Sequence, residues 1–228
     1  MAASFSPYVV GVNMVGAEGG TTAVRDFRLH MNMVKFLRHL FPEVKVSIHA
    51  GEFICNASCV RDETNNTHLH IREAVNIARA NRIGHAVNVL CDSDPKELLD
   101  MLRDRDVAIE INLTSNDIIL GIRGERHPFQ QLREAGVPIV LSTDDAGVAR
   151  TDGLTHEFLK LTQHHGTKYA DLKNMIYNSI SHSFLSEAEK ESLIWQLDSR
   201  FAQFEEQMAA LISMRNPSGL LHDYHWYM

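Results

Sequence analysis

The strongest constraint on the fold is a regular alternation of short apolar runs with amphipathic segments along the first 142 residues. Five runs are rich in β-branched or apolar residues and end at polar residues or glycines, as buried parallel strands do. They cover residues 8–15, 44–49, 82–85, 107–113 and 138–142. Segments with helical spacing lie between them, at residues 22–40, 70–80, 95–105 and 128–135. This alternation predicts an α/β fold with a parallel sheet and helical crossovers.

The remainder of the chain changes to a purely helical pattern. Residues 169–184 and 186–214 have helical spacing, and Ser186 with Glu189 forms the S-x-x-E pattern of a helix capping box. No linker rich in Pro, Gly or Ser and no internal repeat divides the 228 residues. We therefore expect one domain over residues 1–228.

Charge and composition exclude several classes of protein. The 29 acidic against 22 basic residues give a net charge of −7 without a basic block, which argues against nucleic-acid binding. No apolar run approaches the roughly 18 residues that span a bilayer, and residues 1–7 lack the pattern of a signal peptide. The cysteines Cys55, Cys59 and Cys91 are odd in number and form no C-x-x-C pair, which favours a reducing compartment. We expect a soluble, cytoplasmic protein with no nucleic-acid or membrane partner.

Polar residues follow every predicted strand, where parallel α/β folds gather their chemistry. Any one of them alone is more often a cap or turn residue than a functional one, but their joint occurrence predicts a shared pocket. The adjacent carboxylates Asp144 and Asp145 repel each other unless a cation or hydrogen-bond donors hold them, so a metal or ligand is a natural occupant. The strand-end residues are Gly16, Glu18, His49, Glu52, His85, Asn112, Thr114, Ser115, Asn116, Asp144 and Asp145.

Four ordered motifs carry a resemblance to a known family. They are His49-Ala-Gly-Glu52, Arg82-Ile-Gly-His85, Ser142-Thr-Asp-Asp145, and Asn178-Ser-Ile180 with Ser183-Phe-Leu185. With these motifs the sequence resembles the adenosine deaminase family of metal-dependent aminohydrolases, and Gly16-x-Glu18 matches a further family element. The loop after Glu52 and the Asn-Ser-Ile helix are similar to the growth-factor-like, often secreted, branch.

The resemblance implies a partial TIM (β/α)₈ barrel, made of the last five β/α units and the carboxyl-terminal helices. It implies that His49 and Asp144 ligate a catalytic zinc ion. The implied reaction is the zinc-dependent hydrolytic deamination of adenosine or a related 6-aminopurine nucleoside. Glycine is usual in the family where Ala86 stands, an acidic residue where Ala17 stands, and proline where Ala146 stands.

The resemblance also implies roles for four other residues. Glu52 is expected to protonate a purine ring nitrogen as water adds to the carbon that bears the amine. His85 is expected to orient and stabilise the metal-bound hydroxide. Asp145 is expected to bond the purine and assist the attack, and Gly16 to lend its backbone N–H to the base. A closed pocket that raises the pKa of Glu52 would let it act as an acid near neutral pH.

One family feature has no counterpart in this sequence. The family's first strand brings a His-x-His pair to the zinc, and two ligands are fewer than the three that a catalytic zinc needs. The pair His68 and His70 falls in a polar loop rather than at a strand end, and His164 with His165 is interpreted as a solvated helix end.

Three hypotheses therefore stay open. The first is an aminohydrolase that needs a missing amino-terminal segment, the second a purine-binding module without metal chemistry, and the third an inactive barrel fragment. Five strands cannot close an eight-stranded barrel, so we expect either self-association or an amino-terminal partner segment to cover the sheet edges.

Overall fold

The structure is a computed structural model that describes residues 8–54, 69–149 and 153–215. The chain divides into two compact units, the first ending at Thr167 and the second beginning at Lys168.

The first unit is built on a five-stranded parallel sheet in which each strand pairs with the next one along the chain. The order is β1-β2-β3-β4-β5, which confirms the predicted parallel α/β fold. Each strand is shorter than or shifted by a residue or more from its predicted run, except the third, which matches it. The strands are Gly11–Met14, Lys45–Ala50, Arg82–His85, Ala108–Ile111 and Ile139–Leu141, in the order β1 to β5.

Helices connect the strands, as the alternation predicted. The bounds of α1 to α7 are Thr21–Leu40, His70–Asn76, Pro95–Asp104, Leu113–Leu120, Phe129–Glu134, Ala146–Ala149 and Leu154–His165. Two short 3₁₀ helices cover Val89–Cys91 and Gly124–Arg126.

Helix α3 shows why its residues form a helix. The Asp94 side chain accepts a hydrogen bond from the Glu97 backbone N–H at 3.0 Å, and Pro95 occupies the first helical position. Both features are favoured at helix starts, because the cap satisfies a free N–H and proline has none to satisfy. The buried face of the helix carries Leu98 and Leu102, which join the core against the sheet.

Helix α4 was missed by the sequence pattern. The predicted fourth strand extends to residue 113, whereas β4 ends at Ile111 and α4 begins two residues later. Its buried start carries Thr114, Ser115 and Asn116, so an apolar periodicity was absent there. These polar residues lie in the first helical turn rather than at the end of a strand.

The second unit contains two helices, α8 at Tyr169–Ser181 and α9 at Glu187–Arg215. The Ser186 Oγ donates to Glu189 Oε2 at 2.6 Å, and the Ser186 N–H donates to the same oxygen at 2.9 Å. The Glu189 N–H lies 3.4 Å from Ser186 Oγ, which confirms the predicted capping box.

Two findings concern the environment of the chain. No helix among the described residues is both long and apolar enough to cross a membrane. Cys91 is disulfide-bonded. Since disulfides persist in oxidising compartments, this argues against the reducing compartment expected from the cysteine count.

Candidate functional site

Three of the predicted site residues meet at the carboxyl edge of the sheet. His49 lies near the end of β2, His85 ends β3, and Asp144 follows β5 by three residues. Each offers one ligand atom, and these three atoms lie within 4.8 Å of one another. The His49 and His85 ring centroids are 4.7 Å apart, and His85 Nε2 lies 3.8 Å from Asp144 Oδ2. Two imidazoles and a carboxylate are ligand types that zinc accepts, so the donor set fits that ion.

The backbone around this cluster adopts sparsely populated conformations. His85, Ala86 and Asp144 have φ values of 69°, 50° and 53°, in the left-handed region. Such conformations cost about 1–3 kcal/mol each and are concentrated at functional sites. The positive φ of Ala86 gives a physical reason for glycine to be usual at this position in the family that the sequence resembles.

The space for the His49 ring depends on Gly84 in the neighbouring strand. A Cβ added to Gly84 would lie 3.3 Å from His49 Nδ1. Asn13 in β1 lies on the other side, with its Oδ1 3.3 Å from the same ring nitrogen. If His49 Nδ1 carries the proton, this contact leaves Nε2 free to bind a metal.

Glu52 lies beside the cluster, with Oε1 3.7 Å from His85 Nδ1. Burial, together with the negative charges of Asp144, Glu18 and Asp145, raises the pKa of its carboxyl to about 7. A carboxyl group with this pKa holds a proton at neutral pH in about half of the molecules and can donate it. Such a shift is what the implied role of Glu52 as a general acid near neutral pH needs.

Glu18 holds the loop after β2 in place. Its Oε1 accepts from the Gly51 N–H at 2.9 Å, and its Oε2 accepts from the Glu52 N–H at 2.7 Å. His70 Nδ1 lies 2.6 Å from Oε1, and the His70 ring stacks on Phe27 with centroids 3.7 Å apart. His70 is therefore engaged by Glu18 and does not join the cluster of His49, His85 and Asp144. Its sequence neighbour His68 lies outside the described residues.

Gly16 and Asp145 lie around the cluster rather than in it. Gly16 lines a cavity of about 250 Å³ whose wall also includes Glu18, Phe27 and His49. Asp145 is exposed, and it is close enough to Glu52 for its charge to raise the pKa of that carboxyl.

Two asparagines contact the Nδ1 side of the His85 ring. Asn112 Nδ2 lies 3.2 Å and Asn116 Nδ2 2.9 Å from His85 Nδ1. Burial and the neighbouring His49, opposed by Asp144, lower the pKa of His85 to about 4. The ring is therefore neutral at physiological pH. Both asparagines were noted in the sequence as polar residues after the fourth strand, but without a role.

Sequence reasoning missed a buried layer behind these asparagines. His127 Nε2 lies 3.1 Å from Asn116 Oδ1, and the Phe129 N–H donates to His127 Nδ1 at 3.2 Å. Glu157 is fully buried and accepts from the Thr114 backbone N–H at 3.2 Å and from the Thr114 hydroxyl. Neither His127 nor Glu157 belongs to a motif, so only the fold shows that they support the site.

The interpretation of His164 and His165 as a solvated helix end is wrong for His165. Its ring packs edge-on against Phe129, with centroids 5.0 Å apart, and contacts His127 at 6.3 Å. Burial lowers its pKa, and His164 and Arg133 lower it further. His164 is exposed, as expected. The error arose because the two neighbouring histidines point to different sides of the last turn of α7.

The amino-acid sequence is similar to those of known adenosine deaminases. A family model described as "Adenosine deaminase" matches residues 1–200. Adenosine deaminase of Enterococcus faecalis is 30% identical over 190 residues, which cover 79% of this chain and 51% of that protein. Adenosine deaminase 2 of Dictyostelium discoideum is 31% identical over 178 residues, covering 76% of this chain and 30% of that protein. The chain thus spans about half or less of the length of these relatives.

Solved structures show the same fold. A zinc-bound amidohydrolase from Burkhoderia ambifaria superposes with a TM-score of 0.74 at 20% identity, covering 91% of this chain and 52% of that one. Arabidopsis N6-mAMP deaminase superposes with a TM-score of 0.61 at 24% identity, covering 84% of this chain and 50% of that one. The five-stranded sheet is accordingly part of a TIM barrel, as predicted.

Proposed function

The chain belongs to the adenosine deaminase family, and on this basis we propose that it carries the carboxyl-edge site of a zinc-dependent aminohydrolase. The proposed substrate is adenosine or a related 6-aminopurine nucleoside. The observation that carries the proposal is the meeting of His49, His85 and Asp144 within 4.8 Å, beside a glutamate whose pKa is raised to about 7.

His49 and Asp144 are the proposed zinc ligands. When bound, zinc supplies a Lewis acid that lets water provide hydroxide near neutral pH. The zinc-bound amidohydrolase among the similar structures supports this choice of metal. A catalytic zinc needs at least three protein ligands, so His49 and Asp144 call for completion by residues from elsewhere.

Glu52 is the proposed proton donor to the purine. In the reaction, water adds its oxygen to C6 of the ring, and Glu52 gives its proton to the neighbouring ring nitrogen. The C6–N bond to the exocyclic amine then breaks. One proton of the added water goes to the departing amine to give ammonia, and the other returns to Glu52, which leaves a 6-oxopurine nucleoside. The carboxyl is suited to this because burial and three neighbouring carboxylates hold its pKa at about 7.

His85, Asp145 and Gly16 are proposed to position the reactants. His85 faces the ligand cluster through Nε2, where it can hydrogen-bond to the attacking oxygen. Asp145 is exposed beside Glu52, where its carboxylate can accept a hydrogen bond from the purine. Gly16 lines the cavity next to His49, where its backbone N–H can reach the base.

We also propose that three preceding β/α units complete the barrel and the zinc site. At the open edge of the sheet, Val12 in β1 and Val10 just before it are 43% and 44% exposed. Helix α1 next to it exposes Leu29, Met33 and Phe36 at helical spacing. These surfaces are too apolar for a solvated barrel wall. The Enterococcus faecalis relative is about twice as long as the part of it that this chain matches, so it has further chain that could cover such surfaces.

The test is a coupled ammonia assay on this chain combined with a polypeptide that carries the first three β/α units of the family barrel. We expect adenosine to yield equal amounts of ammonia and inosine, with activity lost on chelation and restored by zinc. A zinc-loaded assembly that binds adenosine and releases no ammonia would contradict the proposed reaction.

A further inference from the structure

The two ring nitrogens of His85 face different environments. Nδ1 points into the protein toward Asn116 and Asn112, and Nε2 lies 3.8 Å from Asp144 Oδ2 in the candidate site. A neutral imidazole carries its proton on one nitrogen only, and the other nitrogen accepts. The location of this proton decides whether Nε2 can donate a hydrogen bond or bind a metal.

The position of the ring proton in His127 follows from a neighbouring group that can only donate a hydrogen bond. The backbone N–H of Phe129 can only donate, and it lies 3.2 Å from His127 Nδ1. Nδ1 must therefore accept, so a neutral His127 carries its proton on Nε2. Neutrality is supported by burial, which together with His165 and His85 lowers the pKa of His127 to about 3.

The proton on His127 Nε2 in turn fixes the orientation of the Asn116 side-chain amide. His127 Nε2–H donates to Asn116 Oδ1 at 3.1 Å, and this turns the amide so that its Nδ2 faces His85 Nδ1 at 2.9 Å. Because the amide nitrogen can only donate, His85 Nδ1 must accept. Asn112 Nδ2 lies closer to the same nitrogen, at 3.2 Å, than to Nε2, at 3.5 Å. Glu52 Oε1, 3.7 Å from Nδ1, is beyond hydrogen-bond distance.

We infer that His127 and Asn116 are positioning residues, and that their hydrogen bonds hold His85 as the neutral Nε2–H tautomer with its N–H directed into the site. His85 then donates to an oxygen in the site and is not a third nitrogen ligand beside His49. Its part in catalysis rests on the proposed function. The tautomer itself does not, because it follows from hydrogen bonds that involve no metal.

Hydrogen bonds between Glu157 and Thr114 hold the start of α4, and with it Asn116, in position. Asn116 lies in the first turn of α4, and Glu157 from α7 accepts from both the backbone and the hydroxyl of Thr114 in the same turn. A carboxylate at a helix amino terminus is favoured by the free N–H groups there. Glu157 thus fixes the end of α4 that presents Asn116 to His85.

The direct test is a long-range ¹H–¹⁵N correlation spectrum of the histidine rings in the metal-free 228-residue chain. The two rings are assigned by the loss of their signals in His85→Gln and His127→Gln. We expect both His85 and His127 to show protonated Nε2 and unprotonated Nδ1. A His85 ring protonated on Nδ1 alone would overturn the inference.

The substitution Asn116→Asp should reverse the direction of the hydrogen bond at His85 Nδ1. In Asn116→Asp the carboxylate can only accept, so His85 is expected to gain a proton on Nδ1, with His127 unchanged. The control is Asn76→Asp, at an exposed asparagine paired with Arg105, which should leave the His85 signals in place. An unaltered His85 in folded Asn116→Asp would count against the inference, and the spectrum of the unsubstituted chain decides the matter if that variant does not fold.

Zinc addition separates this inference from the proposed function. In this chain combined with the first three β/α units of the family barrel, which complete the proposed ligand set, we expect zinc to shift the His49 ring signals while His85 keeps its proton on Nε2. Loss of that proton with a metal-induced shift would show that His85 is a ligand and would overturn the inference. Absence of any zinc effect would contradict the proposed metal site and leave the tautomer established by the metal-free spectrum.

Discussion

Glu18 Oε2 accepts a hydrogen bond from the backbone N–H of Glu52 at 2.7 Å. Glu18, in the loop after β1, thereby fixes the backbone of Glu52, the proposed general acid, in the loop after β2. The same carboxylate accepts from the Gly51 N–H and contacts the buried His70. Glu18 is only 6% exposed. Water therefore cannot readily take the place of its carboxylate as the partner of the two N–H groups and the His70 ring.

Glu18→Ala should lower the free energy of unfolding by roughly 3 kcal/mol, because it leaves several buried donors without a partner. Glu43→Ala is the control, since Glu43 is exposed, and it should change stability by less than about 0.5 kcal/mol. Urea unfolding followed by circular dichroism measures both. Equal stability of the two variants would show that the Glu18 contacts contribute little.

Glu52→Gln should lower deamination turnover in the completed barrel by about 10²–10⁴-fold, which is the usual cost of removing a general acid. The side chain keeps its size, so we expect zinc content and folding to be retained. Steady-state ammonia release measures the effect, with Glu43→Gln as the control. Turnover at the level of the unsubstituted enzyme would remove Glu52 from the mechanism.

The raised pKa of Glu52 also predicts how stability depends on pH. Burial and neighbouring carboxylates raise the pKa from 4.5 to about 7 in the folded chain, so protonation favours the folded state. The stabilisation is fully present below about pH 4.5 and is lost as pH rises to about 7. Metal-free Glu52→Gln does not titrate, and it should gain stability relative to the unsubstituted chain between pH 5 and pH 8. A stability difference that stays constant over this range would contradict the shift.

Gly84→Ala should weaken zinc binding by about 10–100-fold, as loss of support around a metal ligand typically does. The added Cβ would lie 3.3 Å from His49 Nδ1, so the ring must move away from its present position. Gly147→Ala serves as the control, because a Cβ there meets nothing within 4 Å. Competition with a chromophoric chelator measures both, and equal affinities would show that the ring tolerates the methyl group.

The sequence was informative where one periodicity or motif decided the structure. Five apolar runs ending at polar residues predicted the parallel sheet, since strands buried on both faces need such runs. The motifs also placed His49, His85 and Asp144 at strand ends, which the sheet brings together at one edge.

The missed features depend on contacts between distant segments. Asn116 and His127 are 11 residues apart, and Thr114 and Glu157 are 43 residues apart, so no local pattern links them. Helix α4 was missed because its buried first turn is polar and satisfies its groups through Glu157 rather than through an apolar face. His165 was assigned to solvent because the packing of its ring on Phe129 is a tertiary contact.

Zinc affinity in matched variants is the most direct test of the proposed metal site. Chelator competition on the completed barrel should show that His49→Ala and Asp144→Ala each weaken zinc binding by more than the roughly 10–100-fold typical of an outer-shell partner. Asp145→Ala should leave zinc affinity near that of the unsubstituted protein while reducing deamination, because Asp145 is exposed beside the ligand cluster rather than in it. Equal zinc affinity in His49→Ala, Asp144→Ala and the unsubstituted protein would contradict the proposed metal site.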